Sequence, residues 1–492
     1  MDITFVLTLL LILFIIYILN NSIWNAKYRK LPPGPTPLPL IGNLLQIKSG
    51  QLTKFLIQTG EQYGSVYTVY FGPHPVVIIS GYKAVKEALI DQGEEFSGRG
   101  SLPSVDKGFQ GYGLVFSNGE RWKQMRRFSI TTLRNFGMGK RSIEERIQEE
   151  AKYLVEELKS HNEAPLDPRN ILTQAVTNVI CSMVFGNRYE YEDVQMLKLL
   201  NLFNENVQIM NSAWGQLQDL FPSIMYRLPG PHQKLHKILS DLLEFVSDRV
   251  KRNQETLDPS SPRNFIDCFI IKMQQEKQNP ESEFNMRNLM SNVLNLFFAG
   301  TETVSSTIRH GLLIFLKYPE IQTKVQQEID HVIGHNRCPN IDDRSKMPYT
   351  DAVIHEIQRF CDIIPTNLPH AVIKDTKFRG YTIPKGTKVF PLLCSVLRDP
   401  TQFSTPDKFN PNHFLDDSGS FKKNDAFMPF STGKRICIGE GLARMELFLF
   451  FSNILQNFTL TSKMQFTEAD IVPKMTGIAN VAIPYKLSFE AR

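Results

Sequence analysis

Phe430-Ser431-Thr432-Gly433-Lys434-Arg435-Ile436-Cys437-Ile438-Gly439 is the stretch on which the reading of this chain turns. It leads into an apolar segment, Leu442 to Phe458, that reads as a helix. A cysteine just before a helix meets the positive end of the helix dipole and a set of free N–H groups, and both favour a thiolate. Gly433 and Gly439 permit backbone conformations closed to other residues and let the chain approach a flat cofactor closely. Arg435 adds a cation that can face an anionic group of such a cofactor, and Phe430 supplies an aromatic ring. A lone cysteine is usually a buried core thiol. An aromatic, a glycine, an arginine, a cysteine and a second glycine at this spacing set that reading aside.

Outside this stretch the cysteines are uninformative. Cys181, Cys268, Cys338, Cys361 and Cys394 form no CxxC pair and stand near no histidine at zinc-finger spacing, so a structural zinc site is excluded. So few cysteines in a chain of 492 residues also exclude a secreted disulfide framework. A hydrophobic fraction of 42% supports a large core, and a net charge of +5 leaves no global nucleic-acid footprint.

Ile3 to Leu19 is an uncharged 17-residue stretch, about 25 Å long as a helix and so matched to a thin bilayer. Asp2 precedes it where a signal peptide would carry basic residues, and no small-x-small cleavage site follows. Lys27, Arg29 and Lys30 then mark the cytoplasmic side. The sequence therefore predicts a transmembrane signal anchor over residues 1–20, a basic and proline-rich hinge over 21–39 that includes Leu31 to Pro39, and one large domain over 40–492 facing the cytosol.

Within that domain, Val66 to Phe71 and Pro75 to Ser80 read as strands around Gly72-Pro73. Helical patterns dominate from there to about residue 360, with polar breaks at Glu255 to Asn264 and Gln274 to Glu283. The longest helix runs from about Asn285 to Lys317, ended by Pro319. It is apolar around much of its circumference and so is expected inside the core. Strand and turn character returns at Phe378 to Val389 and near Val481 to Phe489. The fold class expected is mainly α with a small β region.

Other clusters stand in order along the chain. Trp122 and Arg126 lie one helical turn apart, Glu302 adjoins Thr303 in Ala299-Gly300-Thr301-Glu302-Thr303, and Glu356 and Arg359 form an i,i+3 pair. Singly each is commonplace. With the cysteine stretch they resemble the cytochrome P450 superfamily, whose haem-binding loop F-x-x-G-x-R-x-C-x-G is matched at every defined position. The resemblance runs from Leu31 nearly to the end. It is nearest to vertebrate microsomal family 2, in particular its coumarin-hydroxylating and olfactory-type subfamilies, with support from Phe136 to Ser142 and Asn295 to Ala299.

The resemblance implies the cytochrome P450 fold and a haem b whose iron is held by Cys437. Phe430 and Gly439 would flank the haem, and Arg99, Trp122, Arg126, His370 and Arg435 would bind its propionates. Glu302 and Thr303 would relay protons to dioxygen, although Val304 stands where many relatives carry a hydroxyl. Glu356 and Arg359 form the family's E-x-x-R pair. Its third member, normally an arginine, is His413 in Pro411-Asn412-His413-Phe414, so that this contact depends on the histidine's protonation or tautomer. The distal pocket would include Val105, Phe109, Val115, Phe116, Asn295, Phe298, Ala299, Ile364, Leu368 and Ile478, with Asn295 able to orient a carbonyl or hydroxyl.

The activity implied is insertion of one oxygen atom from O2 into small lipophilic substrates such as xenobiotics, steroids, fatty acids or odorant-like aromatics, at the endoplasmic reticulum membrane. No GxGxxG follows a strand, and Gly108 to Gly113 has the wrong order. NADPH and flavins are therefore expected only on a partner, NADPH-cytochrome P450 reductase, with cytochrome b5 as a second partner. Lys123, Arg127, Arg134, Lys140 and Lys434 could attract an acidic flavoprotein surface. Rival readings are a haem-thiolate isomerase or dehydratase, a ligand-sensing haem protein, and a helical scaffold without cofactor.

Overall fold

β-Branched and aromatic residues favour the pleated strand, and the two such runs near the N-terminus pair as an antiparallel hairpin, Val66–Phe71 (β1) with His74–Ile79 (β2). The second strand is displaced by one residue from its expected start at Pro75. The structure is a computed structural model that describes residue 8 and residues 31–48, 50–136, 141–476 and 478–492. Apart from Thr8, the expected anchor lies outside the described residues, as do Lys27, Arg29, Lys30 and Lys140. Among the described residues no helix is long and apolar enough to cross a membrane.

The chain divides into two compact units. The first comprises residues 1–101, 366–395 and 432–435. Its strands continue with Gly98–Arg99 (β3), His370–Ala371 (β4), Thr376–Phe378 (β5), Tyr381–Ile383 (β6) and Lys388–Pro391 (β7). Five of them form a sheet in the order β1-β2-β7-β4-β3, in which only the β2–β7 pair is parallel. β5 and β6 form a separate hairpin. Tyr67, Val69, Val76 and Ile78 pack with Leu56 and Leu392 into this unit's apolar core. The register sets Arg99 opposite His370.

The second unit comprises residues 102–365, 396–431 and 436–492 and is mainly helical. Its longest element, the central helix Met286–Lys317, starts where the Asn285 side chain accepts from the Asn288 N–H and is buried on most sides. Pro319 both closes it and opens the helix Pro319–Val332, because proline suits the first turn of a helix and no later one. The cysteine helix, Glu440–Asn457, begins two residues before its apolar run and is buried from Leu442 onward. Short hairpins complete the unit: Phe458–Thr461 (β8) with Ser488–Ala491 (β11), and Lys474–Thr476 (β9) with Ala479–Val481 (β10).

One ionic cluster fixes the path of the second unit. Glu356 and Arg359 lie on the helix Pro348–Cys361, both fully buried. Arg359 Nε and Nη2 each donate to a Glu356 oxygen at 2.7 Å. Its remaining donors reach the carbonyls of Leu397, Pro406 and Lys408. His413 completes the cluster, with Nδ1 at 3.2 Å from each Glu356 oxygen. The Thr405 N–H donates to His413 Nε2 at 3.2 Å. Nε2 therefore carries the lone pair and Nδ1 the hydrogen, which settles the tautomer. His413 acts as a neutral donor to Glu356 in the position where an arginine would add a second cation.

Breaking a buried ion pair by removing one charge strands the other, at a cost of about 3–5 kcal/mol. Glu356→Gln should lose stability in that range, read from the denaturant midpoint and m-value. A loss below about 1 kcal/mol, the range of an exposed pair, would show that the cluster is not the support described.

Candidate functional site

The cysteine loop is closed by its own backbone: the Cys437 N–H donates to the Phe430 carbonyl at 3.0 Å. Gly433 has φ of +72°, and a Cβ there would lie 1.8 Å from the Leu89 carbonyl oxygen, so only glycine fits. Gly439 differs from expectation. Its φ is −88°, open to any residue, and a Cβ would meet only Cys437 Sγ at 3.8 Å. The chain itself has no need of glycine there. Cys437 lies deep among protein atoms yet keeps exposed surface, so it is not packed on every side.

The thiol's own acidity also departs from the sequence reading. Burial pushes the Cys437 pKa up, outweighing the backbone N–H groups of Gly439 and Glu440 and the nearby Arg126 cation, which pull it down. The start of the helix does act as expected, but it is not enough by itself. A bound metal ion, which deprotonates a coordinating thiol outright, is what would decide the matter.

Both units carry cationic or polar groups that the sequence singled out. In the first, Arg435 is buried and donates through Nε to the Ser97 carbonyl at 2.7 Å, while Arg99 approaches the Leu368 carbonyl at 3.5 Å. His370 donates from Nδ1 to the Phe96 carbonyl at 2.7 Å. Its Nε2 is buried with no partner among the described residues. Burial, followed by the charges of Arg99 and Arg435, pushes His370 down to about 3. His370 is thus neutral and offers a lone pair. It becomes a second donor only as an imidazolium, a form that an arriving carboxylate would favour. In the second unit, Trp122 is buried and Arg126 donates to the Ile436 carbonyl at 2.6 Å, against the cysteine loop. In the first unit, an orphaned imidazole nitrogen beside two guanidinium groups fits a ligand bearing carboxylates; in the second, an accessible cysteine deep in the protein fits ligation to a metal.

The central helix carries the remaining polar chemistry. The Thr303 hydroxyl donates to the Ala299 carbonyl at 2.7 Å, and Ser305 and Thr307 repeat that back-bond to the carbonyls of Thr301 and Thr303. Ala299 is exposed, and Phe298, Gly300, Glu302 and Thr303 beside it are only partly buried, so the surface at this turn is open. Glu302 accepts from the Ser306 hydroxyl at 3.0 Å. Burial pushes its carboxyl up, against the opposing effects of Ser306, Arg169 and Arg309. Val304, where a hydroxyl was absent from the sequence, is simply buried.

Asn295 is more constrained than its sequence suggested. Its Oδ1 accepts from the N–H groups of Leu114 and Val115 at 2.9 and 3.0 Å. One heptad earlier, Asn288 Oδ1 accepts from the Gly113 N–H at 3.0 Å. Gly113 has φ of +90°, and a Cβ there would strike Asn295 Oδ1 at 2.6 Å. The glycines of this loop therefore serve a turn against the helix, consistent with the absence of a dinucleotide fingerprint. Asn295 is buried, and with both lone pairs of Oδ1 taken by backbone N–H groups its side chain can offer only a donor.

Of the other expected pocket residues, Val105 and Phe109 are buried on the helix Pro103–Phe109. Val115, Phe116, Phe298 and Ile364 are partly buried, and Ile478 is 36% exposed, all in the second unit. Leu368 is partly buried in the first. Three residues went unread in the sequence. Phe203 stacks on Phe298 at 4.7 Å, Ser306 bonds Glu302, and Asn288 anchors Gly113. The heptad spacing of Asn288 and Asn295 was a legible signal, whereas nothing local to Phe203 announces its partner.

The family model described as Cytochrome P450 matches residues 32–489. Cytochrome P450 2G1 of Rattus norvegicus is 57% identical over 471 residues, 95% of this chain and 95% of that one. Cytochrome P450 2A5 of Mus musculus is 55% identical over 473 residues, 96% of each chain, and cytochrome P450 2A13 of Homo sapiens has the same identity and coverage.

The state of His370 has a measurable consequence. The unfolded chain takes up a proton near the ordinary value of 6.5 that the folded chain refuses until about 3. Stability should therefore fall as pH drops from 6.5 toward 3, by up to about 1.4 kcal/mol per pH unit. In cofactor-free protein, His370→Asn keeps a donor for the Phe96 carbonyl and should remove about 2 kcal/mol of the loss between pH 7 and 5. Equal losses in the two proteins would mean that folded His370 takes up the proton after all.

Proposed function

Because the chain belongs to the cytochrome P450 family and is a haem-thiolate monooxygenase acting on lipophilic substrates, we propose that Cys437 is the axial ligand of its haem iron. The observation that carries this is a cysteine held deep in the protein by a closed loop and still accessible there. Haem, when bound, supplies reductive activation of dioxygen, which thiolate ligation favours. Arg99, Trp122, Arg126, His370 and Arg435 are the proposed partners of the propionates. Phe430 and Gly439 would border the ring.

The chain's own contribution to the chemistry is a held proton and an orienting pocket. Glu302 retains a proton at its carboxyl more readily than a solvent-exposed glutamate. The Ser306 hydroxyl fixes its Oε1. With its own hydrogen engaged by Ala299, Thr303 Oγ1 presents lone pairs that can accept a hydrogen bond from water. A proton leaving Glu302 can thus be ordered through water toward Thr303. Dehydratases and isomerases built on a haem thiolate need no such relay, so the Glu302 and Thr303 pair favours the oxygenase reading over that alternative.

Electrons reach the haem through a redox partner. We assign that role to NADPH-cytochrome P450 reductase, with cytochrome b5 as a second donor. Lys123, Arg127 and Arg134 are exposed on one face of the helix Gly119–Asn135, a disposition suited to an acidic partner. The apolar Ile3 to Leu19, followed by Lys27, Arg29 and Lys30, supports an anchor over residues 1–20, a hinge over 21–39 and a catalytic domain over 40–492 at the cytosolic face of the endoplasmic reticulum membrane. In the pocket, Asn295 Nδ2 would donate to a carbonyl or ether oxygen of the substrate.

The carbon-monoxide difference spectrum of the reduced protein tests the ligand. A strongly red-shifted Soret band, lost in Cys437→Ser, is expected; a haem-loaded native protein without that band overturns the assignment. Asn295→Asp keeps the acceptor for both backbone N–H groups and removes the donor. It should bind coumarin about tenfold more weakly, the worth of one hydrogen bond of about 1.4 kcal/mol. Asn295→Ala should in addition lose about 1–3 kcal/mol of stability by stranding buried N–H groups. Unchanged affinity in Asn295→Asp would remove Asn295 from substrate recognition.

A further inference from the structure

The helix Pro348–Cys361 ends at Asp362, whose φ is +42°, in the left-handed region. The last carbonyls of a helix have no partner within it, and beneath a buried turn they must find one elsewhere. Asn480, from a strand far along the sequence, answers three in a row. Its backbone N–H donates to the Ile363 carbonyl at 2.9 Å. Its Nδ2 donates to the carbonyls of Cys361 at 3.1 Å and Asp362 at 2.8 Å. Asn480 is itself buried and sits in β10, paired with Met475 of β9.

This clamp joins two segments that each carry an apolar pocket candidate. Ile364 follows directly on the clamped turn, and Ile478 stands two residues before Asn480 in the hairpin. At 36% exposure Ile478 is not fixed by its own packing, and Ile364 is only partly buried. Directional hydrogen bonds from one buried amide hold the spacing between them. We propose that Asn480 is a positioning residue of the substrate pocket, setting the separation of Ile364 and Ile478 and with it which ligand shapes are accepted. The inference rests on the assignment of those two residues to the pocket.

An amide suits the task because a carboxylate has no hydrogen to donate and would face the two carbonyl oxygens of Cys361 and Asp362. Alanine would leave only the backbone contact. Threonine keeps one donor on a side chain that favours strands.

The test uses the haem-loaded full-length protein and two ring isomers of phenylimidazole, rigid azoles that ligate the iron and differ in where the phenyl ring points. The readout is the ratio of their dissociation constants, taken from the shift of the haem absorption band. Asn480→Ala and Asn480→Asp should change that ratio about threefold or more, on the scale by which pocket walls discriminate shapes. Asn480→Thr should fall between them and the parent, and it decides the matter if the other two fail to retain haem. Ile364→Ala and Ile478→Ala serve as controls. If the isoleucine variants change the ratio and the Asn480 variants do not, while thermal stability falls, Asn480 is only a structural residue and the proposal fails. If none changes the ratio, the pocket assignment itself is wrong and takes the proposal with it.

Discussion

Arg359 is a cation without access to solvent, and much of the second unit is arranged to make that tolerable. Moving such a charge out of water costs several kcal/mol even after relaxation, and only near-complete coordination offsets it. Glu356 supplies the countercharge, and the carbonyls of Leu397, Pro406 and Lys408 absorb the remaining donors. Each is a backbone group with a fixed place along the chain. The path from Leu397 through Lys408 is therefore held to the helix Pro348–Cys361 by a charge that cannot be left unmatched. His413 closes the same cluster as a neutral ring. One guanidinium and one carboxylate then balance, and the imidazole contributes a hydrogen bond without adding a charge to be compensated.

Burial shifts two other groups in the same sense, with opposite consequences for the roles proposed for them. It pushes the Glu302 carboxyl toward its protonated form, which is the form a proton donor requires. It pushes the Cys437 thiol in the same direction, and there it opposes the thiolate that a haem ligand must be. The same low-dielectric surroundings thus support one role by themselves and leave the other to the charge of the metal. His370 shows a third outcome. Burial and two arginines keep it neutral, so that its contribution to an anion site depends on the anion being present.

These differences explain what the sequence could reveal. The cysteine loop, the E-x-x-R pair and the acid–hydroxyl pair are short-range patterns, and their elements form within a residue or two of the expected places. The long central helix was equally legible, because its apolar periodicity and its flanking asparagine and proline are local signals. What escaped was the choice of distant partners. Neither the Thr405 N–H that fixes the tautomer of His413 nor the ring of Phe203 is marked by any pattern near the residue it meets. Gly439 was legible as a glycine but not in its reason. Positive φ explains Gly433, whereas Gly439 has ordinary dihedrals and room for a Cβ.

Three buried asparagines show how the second unit reconciles a fixed scaffold with an apolar pocket. Asn288 and Asn295 accept from the backbone of residues 113–115, and Asn480 donates to the backbone of residues 361–363. In each case the partner is a loop that carries, or immediately precedes, a pocket candidate. A loop at such a site has few repeating hydrogen bonds of its own, and its buried polar groups must be satisfied individually. An amide does this in both directions without the desolvation penalty of a charge. Because position is then set through main-chain atoms, the side chains of Val115, Phe116, Ile364 and Ile478 are relieved of holding the loops in place. As the proposed pocket lining they would be free to answer in size and shape to a substrate, and substitutions among them need not disturb the loops that bear them.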